Sequence, residues 1–453
     1  MTDAPEQKVE SRASGPWLLA AIALVIATGF VLRFGSSVLT FDSVKDEYLM
    51  KKPIDDILER GWSVETAIDY QEVKGPAFYW TYAAGGEVLG GDINSLRLIS
   101  VLCFVLAAVP LLLMAQRVGI SGPGVVAVAG LWSVLPYNAY IGQLLFSEPS
   151  FLMFAMWLCW AFVWGFGNSP QDEQRIAGPI LFAILLSMLL HHRPHAVAFA
   201  GAAALTACQR DRIRSWPWWL ACLIAGLTRL PLWAHWGGLV TWNYQQLFGF
   251  GFQPDNFLYA LAACLPWTAL LIWPAIVQGA ARSRTLLVAV LVVTIIVGMI
   301  FTPDLTAKRD YFHPELEQIK QQDAFAGTIA TAVRTATNKI GGSAVMQTAV
   351  LSMLGGLGAV SIAAFGQLAL RRRTDEMGAH VLRLAFWTLA VGLPLYAITR
   401  GPMYDRYLMV WAPLLPLAWW RLLPRWLLIV QAAGCLAVAA YHVNQFLLQP
   451  LTV

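Results

Sequence analysis

An acidic pair, Asp46-Glu47, lies in the most polar stretch of the chain, 40–80, which holds nine of the 27 acidic residues. A carboxylate whose pKa is adjusted by burial or hydrogen bonding can take a proton from a hydroxyl group. The simpler interpretation is a solvated acidic pair at the start of a helix. Because charged and aromatic residues crowd around the pair, we predict that Asp46 is a general base with Glu47 as its catalytic neighbour.

Lys74 begins the sequence KGPAFYW, in which a single cation precedes an aromatic run that contains Tyr79. An ammonium group beside aromatic rings at the depth of lipid headgroups can hold a phosphate. A lysine at this depth can also merely extend its charged end to the membrane surface. We predict that Lys74 binds a phosphate, with the anchoring role as the alternative.

Charged groups also stand at the ends of two apolar runs. Glu148, in FSEPS, is followed by a long uncharged run, so it either caps a helix or has an inward functional role. His192 and Arg193 belong to HHRPH, where three imidazoles and a guanidinium crowd together. The HHxxH spacing lacks an acidic or thiolate partner for zinc, so a cationic contact to a phosphate or sugar is favoured over a metal site. A plain interfacial turn is the third interpretation.

Arg400 and Arg406 lie in TRGPMYDRY, a polar corner late in the chain. They can pair with Asp405, or they can bind a phosphate, for which a guanidinium offers paired N–H donors. The sequence contains no P-loop, nucleotide-binding glycine fingerprint, GxSxG, CxxC or HExxH motif. Coupling to ATP and hydrolase chemistry of the soluble type are therefore not expected.

The composition indicates which elements must position these residues. Of 453 residues, 58% are hydrophobic and only 13% are charged, with a mean hydropathy of +0.58, whereas soluble domains carry about 25% charged residues. Apolar runs of roughly 20 residues, long enough to cross a membrane, recur along the chain, and they lack the alternation of barrel strands. We predict an all-α polytopic membrane protein with about 13 transmembrane helices.

The predicted spans are 17–35, 95–115, 123–140, 147–166, 177–190, 195–208, 216–236, 257–279, 285–301, 345–369, 381–398, 406–421 and 426–447. The pair 177–190 and 195–208 can also form one long bent helix. The first run is interpreted as a retained span, because no clear small-residue cleavage site follows it. All six cysteines fall inside or at the ends of apolar runs, as small buried hydrophobes do.

Arginines predict which helix ends face the cytoplasm. If the N-terminus is cytoplasmic, the short inner loops are consistently basic; their arginines are Arg117, Arg175, Arg210, Arg212, Arg214, Arg282, Arg284, Arg371, Arg372, Arg373, Arg421 and Arg425. Two longer segments, 40–94 and 302–344, then lie outside. Each is too short and too polar for a core of its own, so we expect a single domain, 1–453, with short interfacial helices in these outer loops and 302–344 as a candidate lid.

Five segments, taken in chain order, resemble the motifs of the GT-C superfamily of integral-membrane glycosyltransferases. They are the acidic pair, KGPAFYW, NSLRLISVLCFVLA, LLFSEPSFLMF and YDRYLMVWAPLLPLAWW. The nearest counterparts are bacterial protein O-mannosyltransferase-like enzymes and the aminoarabinose transferases that modify lipid A. The resemblance covers most of the first 160 residues and a segment near residue 405. Two features depart from it: Gly75 stands where the family has proline, and the chain ends soon after its last span, without the soluble C-terminal domain of many relatives.

The resemblance implies an inverting transfer of a hexosyl or pentosyl group from a polyprenyl-phosphate-linked donor to a hydroxyl acceptor on a glycan, lipid or protein. Carried over to this chain, the catalytic residues are Asp46 and Glu47. The candidate ligands of the donor phosphate are Lys74, Arg193, Arg400 and Arg406, and the residues that orient the acceptor or the base are Glu148, His192 and Tyr79. No cofactor or metal site is expected; a divalent cation, which some members of the superfamily need, is compatible with the sequence but not required by it.

The expected location is the bacterial inner membrane, with the active site on the periplasmic side and membrane lipids but no nucleic acid as partners. A transporter or a flippase for a glycolipid is the main alternative. It would predict charges or broken helices near the midplane of the bilayer and an internal repeat, whereas the charges here gather at one face. A non-catalytic scaffold is disfavoured by the concentration of acidic, basic and aromatic residues in one loop.

Overall fold

A computed structural model describes residues 15–35, 45–70, 74–167, 176–212, 215–241, 245, 250–279, 281–301, 328–371, 376–399 and 405–444. Within these ranges the chain is helical and forms no strand; Phe250 and Thr399 make an isolated antiparallel bridge. The prediction of an all-α membrane protein is confirmed.

The first half of the chain forms eleven helices within the described ranges. They are α1 (Gly15–Gly35), α2 (Lys45–Arg60), α3 (Val64–Ile68), α4 (Pro76–Leu89), α5 (Ile93–Arg117), α6 (Gly122–Ser133), α7 (Asn138–Ile141), α8 (Ser147–Phe166), α9 (Ala177–His192), α10 (Val197–Arg210) and α11 (Trp216–Trp236). A 3₁₀ turn, Pro194–Ala196, separates α9 from α10. The two are therefore distinct helices and not one long bent helix.

The second half continues with α12 (Pro254–Ala263), α13 (Leu265–Thr268), α14 (Ile272–Gln278), α15 (Ala281–Phe301), α16 (Thr328–Lys339), α17 (Ala344–Leu370), α18 (Met377–Gly392), α19 (Leu415–Leu422) and α20 (Arg425–Val443). Short 3₁₀ turns lie at Ala269–Leu271, Leu393–Ala397 and Asp405–Val410. The proposed lid is the second outer loop, 302–344. Its residues 302–327 lie outside the described residues, and α16 belongs to its second part.

Seven helices within the described ranges are long and apolar enough to cross a membrane, or eight if the bent pair Pro254–Ala263 and Leu265–Gln278, with a bend of 43°, is one span. The count of 13 is not confirmed, because several predicted spans are short or broken. The predicted span 123–140 contains α6 and α7, separated by a turn in which Tyr137 has a φ of 72°. The predicted span 406–421 divides into the 3₁₀ turn Asp405–Val410 and α19.

Arginines predicted to be cytoplasmic gather at one end of the helices. Arg117, at the end of α5, donates to the Trp164 carbonyl at 3.3 Å, and Arg210 donates to the Phe166 carbonyl at 2.5 Å. Both carbonyls belong to the last turn of α8. Because the last carbonyls of a helix lack partners of their own and carry partial negative charge, these cations satisfy and stabilise that end.

The helices α5 and α8 run in the same direction, since their last turns meet at Arg117 and they pack along their length. Helix α9 packs on α8 and runs in the opposite direction, because its last residue, His192, lies beside the first turn of α8. The first outer loop adds α2, α3 and α4 as short helices, as predicted. Four helix ends therefore meet at the end of the bundle opposite Arg117 and Arg210. They are the starts of α4, α5 and α8 and the end of α9.

Candidate active site

Glu47 lies in a buried ion pair that joins three elements. Its carboxylate accepts from Arg97 Nε at 3.0 Å and Arg97 Nη2 at 2.6 Å, and Oε1 also accepts from the backbone amide of Leu145 at 2.8 Å. Both side chains are 0% exposed. The pair ties the first turn of α2 to the start of α5 and to the turn before α8. Sequence reasoning does not single out Arg97 as the partner of Glu47, because 50 residues separate them.

Asp46, the predicted base, precedes Glu47 in the first turn of α2. Its side chain lies outside the described residues, as does the side chain of Arg406 in the 3₁₀ turn Asp405–Val410. Arg400 lies outside them altogether. The neighbouring ion pair fixes the backbone that carries Asp46, and the roles of Asp46, Arg400 and Arg406 stay predictions.

Glu148 lies in the first turn of α8 and pairs with Arg193 at the end of α9. The Arg193 Nη2 atom donates to Glu148 Oε1 at 2.9 Å and also contacts the hydroxyl of Ser147. The Glu148 side chain is 1% exposed, whereas that of Arg193 is 13% exposed. Two predicted site residues that are 45 positions apart are thus in direct contact.

His192 is completely buried beside this pair. Its Nε2 shares a hydrogen bond of 2.8 Å with the hydroxyl of Ser150, and its ring lies between the rings of Phe78 and Phe151, at 5.8 and 5.5 Å. Its carbonyl oxygen accepts from the amide of Gly75 at 3.0 Å. The contacts connect α8, α9 and α4, so His192 holds the site together through both its ring and its backbone.

Lys74 lies in a turn that is held at two points. The hydroxyl of Tyr70 donates to the Lys74 carbonyl at 2.8 Å, and the amide of Gly75 donates to the His192 carbonyl. A Cβ atom at Gly75 would lie 2.0 Å from the carbonyl oxygen of His191, which is a severe clash. Glycine in place of the family proline follows from this close approach, because proline would add atoms and remove the donor.

Tyr407, in the 3₁₀ turn Asp405–Val410, brings two predicted cations together. Lys74 Nζ lies 6.0 Å from the centre of its ring, and the guanidinium carbon of Arg193 lies 5.3 Å from it. The negative face of an aromatic ring attracts cations. An ammonium and a guanidinium beside one ring form a positively charged surface that can bind an anion such as a phosphate. Sequence reasoning places Tyr407 in a polar corner without assigning it this position.

Tyr79 lies in the aromatic core beneath the turn and is 0% exposed. Its ring meets the rings of Tyr70 at 4.4 Å and Phe78 at 4.8 Å, both edge-on. It therefore packs against the residue that holds the Lys74 carbonyl. The orienting role predicted for Tyr79 is not tested by this packing.

His195, in the 3₁₀ turn Pro194–Ala196, is neutral near pH 7. Burial, together with the positive charges of Arg193 and Lys74, lowers its pKa from 6.5 to about 4. Its ring lies 5.9 Å from that of Tyr396. This lowered pKa disfavours a positive charge on His195, whereas Arg193 carries its guanidinium to the site. The cationic role predicted for the HHRPH cluster stays a prediction.

No group of three or more histidine, cysteine, aspartate or glutamate side chains that could hold a metal ion occurs within the described ranges. The side chain of Asp46 lies outside those ranges. The expected absence of a metal site therefore stays a prediction.

The fold and site define an integral membrane protein with a cationic, aromatic site at one end of its helices. No family model and no curated protein matches the sequence. Among solved structures the chain is similar to the oligosaccharyltransferase AglB from Archaeoglobus fulgidus, in complex with an inhibitory peptide and a dolichol-phosphate. The identity is 14% and the TM-score 0.49, over 96% of this chain and 56% of AglB.

A second similar structure is ArnT from Cupriavidus metallidurans, bound to undecaprenyl phosphate. Here the identity is 12% and the TM-score 0.43, over 95% of this chain and 78% of ArnT. The chain spans little more than half of the length of AglB.

Proposed function

We propose that this chain is an inverting glycosyltransferase that moves a sugar from a polyprenyl-phosphate donor to a hydroxyl group of a glycan, lipid or protein, at the periplasmic face of a bacterial inner membrane. The observation that carries the proposal is the approach of Lys74 and Arg193 to one Tyr407 ring. This ring lies at the end of the bundle opposite Arg117 and Arg210. Two cations at this depth suit a lipid phosphate. Polyprenyl phosphates are also the lipids bound in the AglB and ArnT structures.

In the proposed reaction Asp46 takes the proton of the acceptor hydroxyl, and the hydroxyl oxygen attacks the anomeric carbon. The bond between that carbon and the phosphate oxygen breaks, and the electron pair leaves with the polyprenyl phosphate. Charge then grows on the phosphate, where Lys74 and Arg193 stabilise it. Glu148 holds Arg193 in place, and the buried pair of Glu47 and Arg97 holds the backbone of Asp46.

The test is transfer of a labelled sugar from a polyprenyl-phosphate donor by the purified chain. Loss of a general base lowers the rate by about 10²–10⁴-fold, and we expect an effect of this size for Asp46→Asn. We expect Lys74→Ala to raise the KM for the donor, because its charge binds the phosphate, and to lower kcat, because the negative charge on that phosphate grows in the transition state. The matched control is Lys52→Ala, since Lys52 is an exposed lysine of the same outer loop.

The same variants distinguish the transferase from a transporter. A flippase would move the glycolipid across a vesicle membrane without breaking the bond to the phosphate, and Asp46→Asn would leave that movement unchanged. Transfer at the wild-type rate by Asp46→Asn would show that the base is assigned wrongly.

A further inference from the structure

Trp236, the last residue of α11, is buried against the segment that precedes the Lys74 turn. Its indole Nε1 donates to the carbonyl oxygen of Ile68 at 3.1 Å. Its ring also meets the ring of Tyr70 edge-on, with 6.0 Å between the ring centres. Ile68 is the last residue of α3, and the carbonyls at the end of a helix lack partners within that helix. The indole therefore satisfies one of these carbonyls and joins α11 to α3.

The residue before it makes a second contact with the same segment. His235 Nε2 lies within hydrogen-bond distance of Asp69 Oδ1, and both side chains are exposed. Exposed ion pairs contribute little to stability. The buried indole of Trp236 is therefore the stronger of the two contacts that α11 makes here.

Trp236 is itself held in place. Gln245 Nε2 donates to the Trp236 carbonyl at 2.8 Å, and the guanidinium carbon of Arg229 lies 5.2 Å from the centre of its ring. The face of an aromatic ring attracts a cation, so Arg229 restrains the ring two helical turns before the end of α11. Because backbone and ring are both restrained, the indole N–H stays directed at Ile68.

The segment that α11 holds is bonded directly to the backbone of Lys74. The hydroxyl of Tyr70 donates to the Lys74 carbonyl at 2.8 Å. On the other side, the amide of Gly75 donates to the His192 carbonyl at the end of α9, at 3.0 Å. Two neighbouring helices thus fix the turn from opposite sides, α9 directly and α11 through Tyr70. The turn carries the Lys74 ammonium to within 6.0 Å of the centre of the Tyr407 ring.

We propose, on the basis of the function given above, that Trp236 is a positioning residue for Lys74. It acts through Ile68 and Tyr70, and not by contact with the donor phosphate. The side chain of lysine is long and flexible, so the direction of its charge depends on a fixed backbone. A small displacement caused by a distant substitution can lower a rate by as much as about 10²-fold.

The first test is the steady-state kinetics of Trp236→Phe with a polyprenyl-phosphate donor. Phenylalanine keeps a ring beside Tyr70 and Arg229 but removes the N–H donor to Ile68. We expect the KM for the donor to rise by about 3- to 10-fold, the range for one lost hydrogen bond, and the KM for the acceptor to stay unchanged. A merely structural role would reduce the active fraction of the protein, which lowers the apparent kcat and leaves the donor KM at its wild-type value.

Trp233→Phe is the matched control. Trp233 lies one turn earlier in α11, and its indole Nε1 has no hydrogen-bond partner among the residues that the structure describes. The donor KM of this variant should equal that of the wild-type chain. An equal rise in donor KM for Trp233→Phe and Trp236→Phe would overturn the proposal.

A double-mutant cycle tests the path through Tyr70. Tyr70→Phe removes the hydroxyl group that holds the Lys74 carbonyl. Because the connection is then already cut, Trp236→Phe should raise the donor KM less in the Tyr70→Phe background than in the wild-type background. Equal factors in the two backgrounds would contradict the proposed path.

Hydrogen exchange followed by mass spectrometry gives a readout that needs no sugar transfer. Peptides that contain Gly75 should exchange faster in Trp236→Phe than in the wild-type chain, and at the wild-type rate in Trp233→Phe. If Lys74→Ala impairs transfer while Trp236→Phe has normal donor KM and normal Gly75 exchange, the positioning role is overturned and the proposed function stands. If Lys74→Ala transfers normally while Trp236→Phe speeds Gly75 exchange, the contact of α11 with the turn is supported and the role of Lys74 in the proposed function fails.

Discussion

At the scale of single residues, the pair of Glu47 and Arg97 is the interaction whose loss we expect to destabilise the protein most. Glu47→Gln removes the described counter-charge of the Arg97 guanidinium, and both side chains are 0% exposed. Breaking one partner of a buried pair costs about 3–5 kcal/mol. We therefore expect a clear fall in the thermal unfolding midpoint of the purified protein in detergent.

A pair on the same helix provides the control. Lys51 and Asp55 are 26% and 34% exposed and form an ion pair at i,i+4, and exposed pairs of this kind contribute about 0.3–0.5 kcal/mol. Asp55→Asn should shift the midpoint only slightly. The double variant Glu47→Gln/Arg97→Met should be more stable than Glu47→Gln, because it leaves no unpaired charge. Similar midpoints for Glu47→Gln and Asp55→Asn would contradict the structural role of the buried pair.

His195 predicts a dependence of stability on pH. Its pKa is about 4 in the folded protein and 6.5 in an unfolded chain. The unfolded chain thus binds a proton between these values that the folded protein does not bind. The contribution of His195 to the free energy of unfolding is fully present above pH 6.5. It is lost as the pH falls towards 4, by an amount of the order of 3 kcal/mol.

The measurement is the thermal midpoint of the wild-type chain and His195→Gln between pH 7.5 and 4.5. We expect a steeper fall at acid pH for the wild-type chain, because glutamine has no proton to bind. All other titrating groups are common to both proteins, so their contributions cancel in the difference. Parallel curves would show that His195 is already charged in the folded protein, or exposed to water.

At the scale of elements, the contact between the Lys74 turn and the end of α9 depends on a glycine. Gly75→Ala would place a methyl group 2.0 Å from the His191 carbonyl oxygen. Either α4 or α9 must then shift, and the hydrogen bond from Gly75 to His192 weakens. We expect lower stability and, because Lys74 is displaced from Tyr407, a larger loss in kcat/KM for the donor than the stability change alone would produce.

Gly226 in α11 is the matched control, since a Cβ atom there would meet nothing within 4 Å. Alanine is favoured over glycine in a helix by about 1 kcal/mol. Gly226→Ala should therefore be neutral or stabilising, with normal transfer. If Gly75→Ala behaved like Gly226→Ala, the close approach of α4 and α9 would not be needed for activity.

The positions of the long helices are largely predictable from the sequence, because a continuous run of about 20 apolar residues is typical of a helix that crosses a membrane. The predicted span 216–236 coincides with α11, and 147–166 coincides with α8. The interruption near Tyr137 is less predictable, because a non-glycine residue at positive φ depends on tertiary contacts and not on its own preference. Its ring lies 4.8 Å from that of His442, far along the chain.

At the scale of the whole molecule, the site is assembled from segments that the sequence keeps apart. Lys74, Arg193 and Tyr407 meet, although more than 300 residues separate the first from the last. Residue types and family motifs identify Lys74 and Arg193 as candidate ligands of the donor phosphate. The pairing of Glu148 with Arg193 and the position of Tyr407 follow only from how the helices pack, since no local pattern encodes them.

The separation of charge along the bundle predicts the orientation of the molecule in its membrane. Helix ends that carry Arg117 and Arg210 lie opposite the starts of α5 and α8, which carry the site. Because basic loops remain cytoplasmic, Lys52 in α2 should face the outside and Arg212 the inside. Both residues are exposed and so accept a cysteine without disturbing the core.

A labelling experiment in a bacterial host checks this orientation. Lys52→Cys and Arg212→Cys are each placed in a Cys208→Ser/Cys222→Ala background, since the other four cysteines are buried. With a membrane-impermeant maleimide on spheroplasts, we expect rapid labelling of the cysteine at position 52, and labelling at position 212 only after lysis. Labelling at 212 but not at 52 in intact spheroplasts would place the site in the cytoplasm, where a periplasmic acceptor could not reach Asp46.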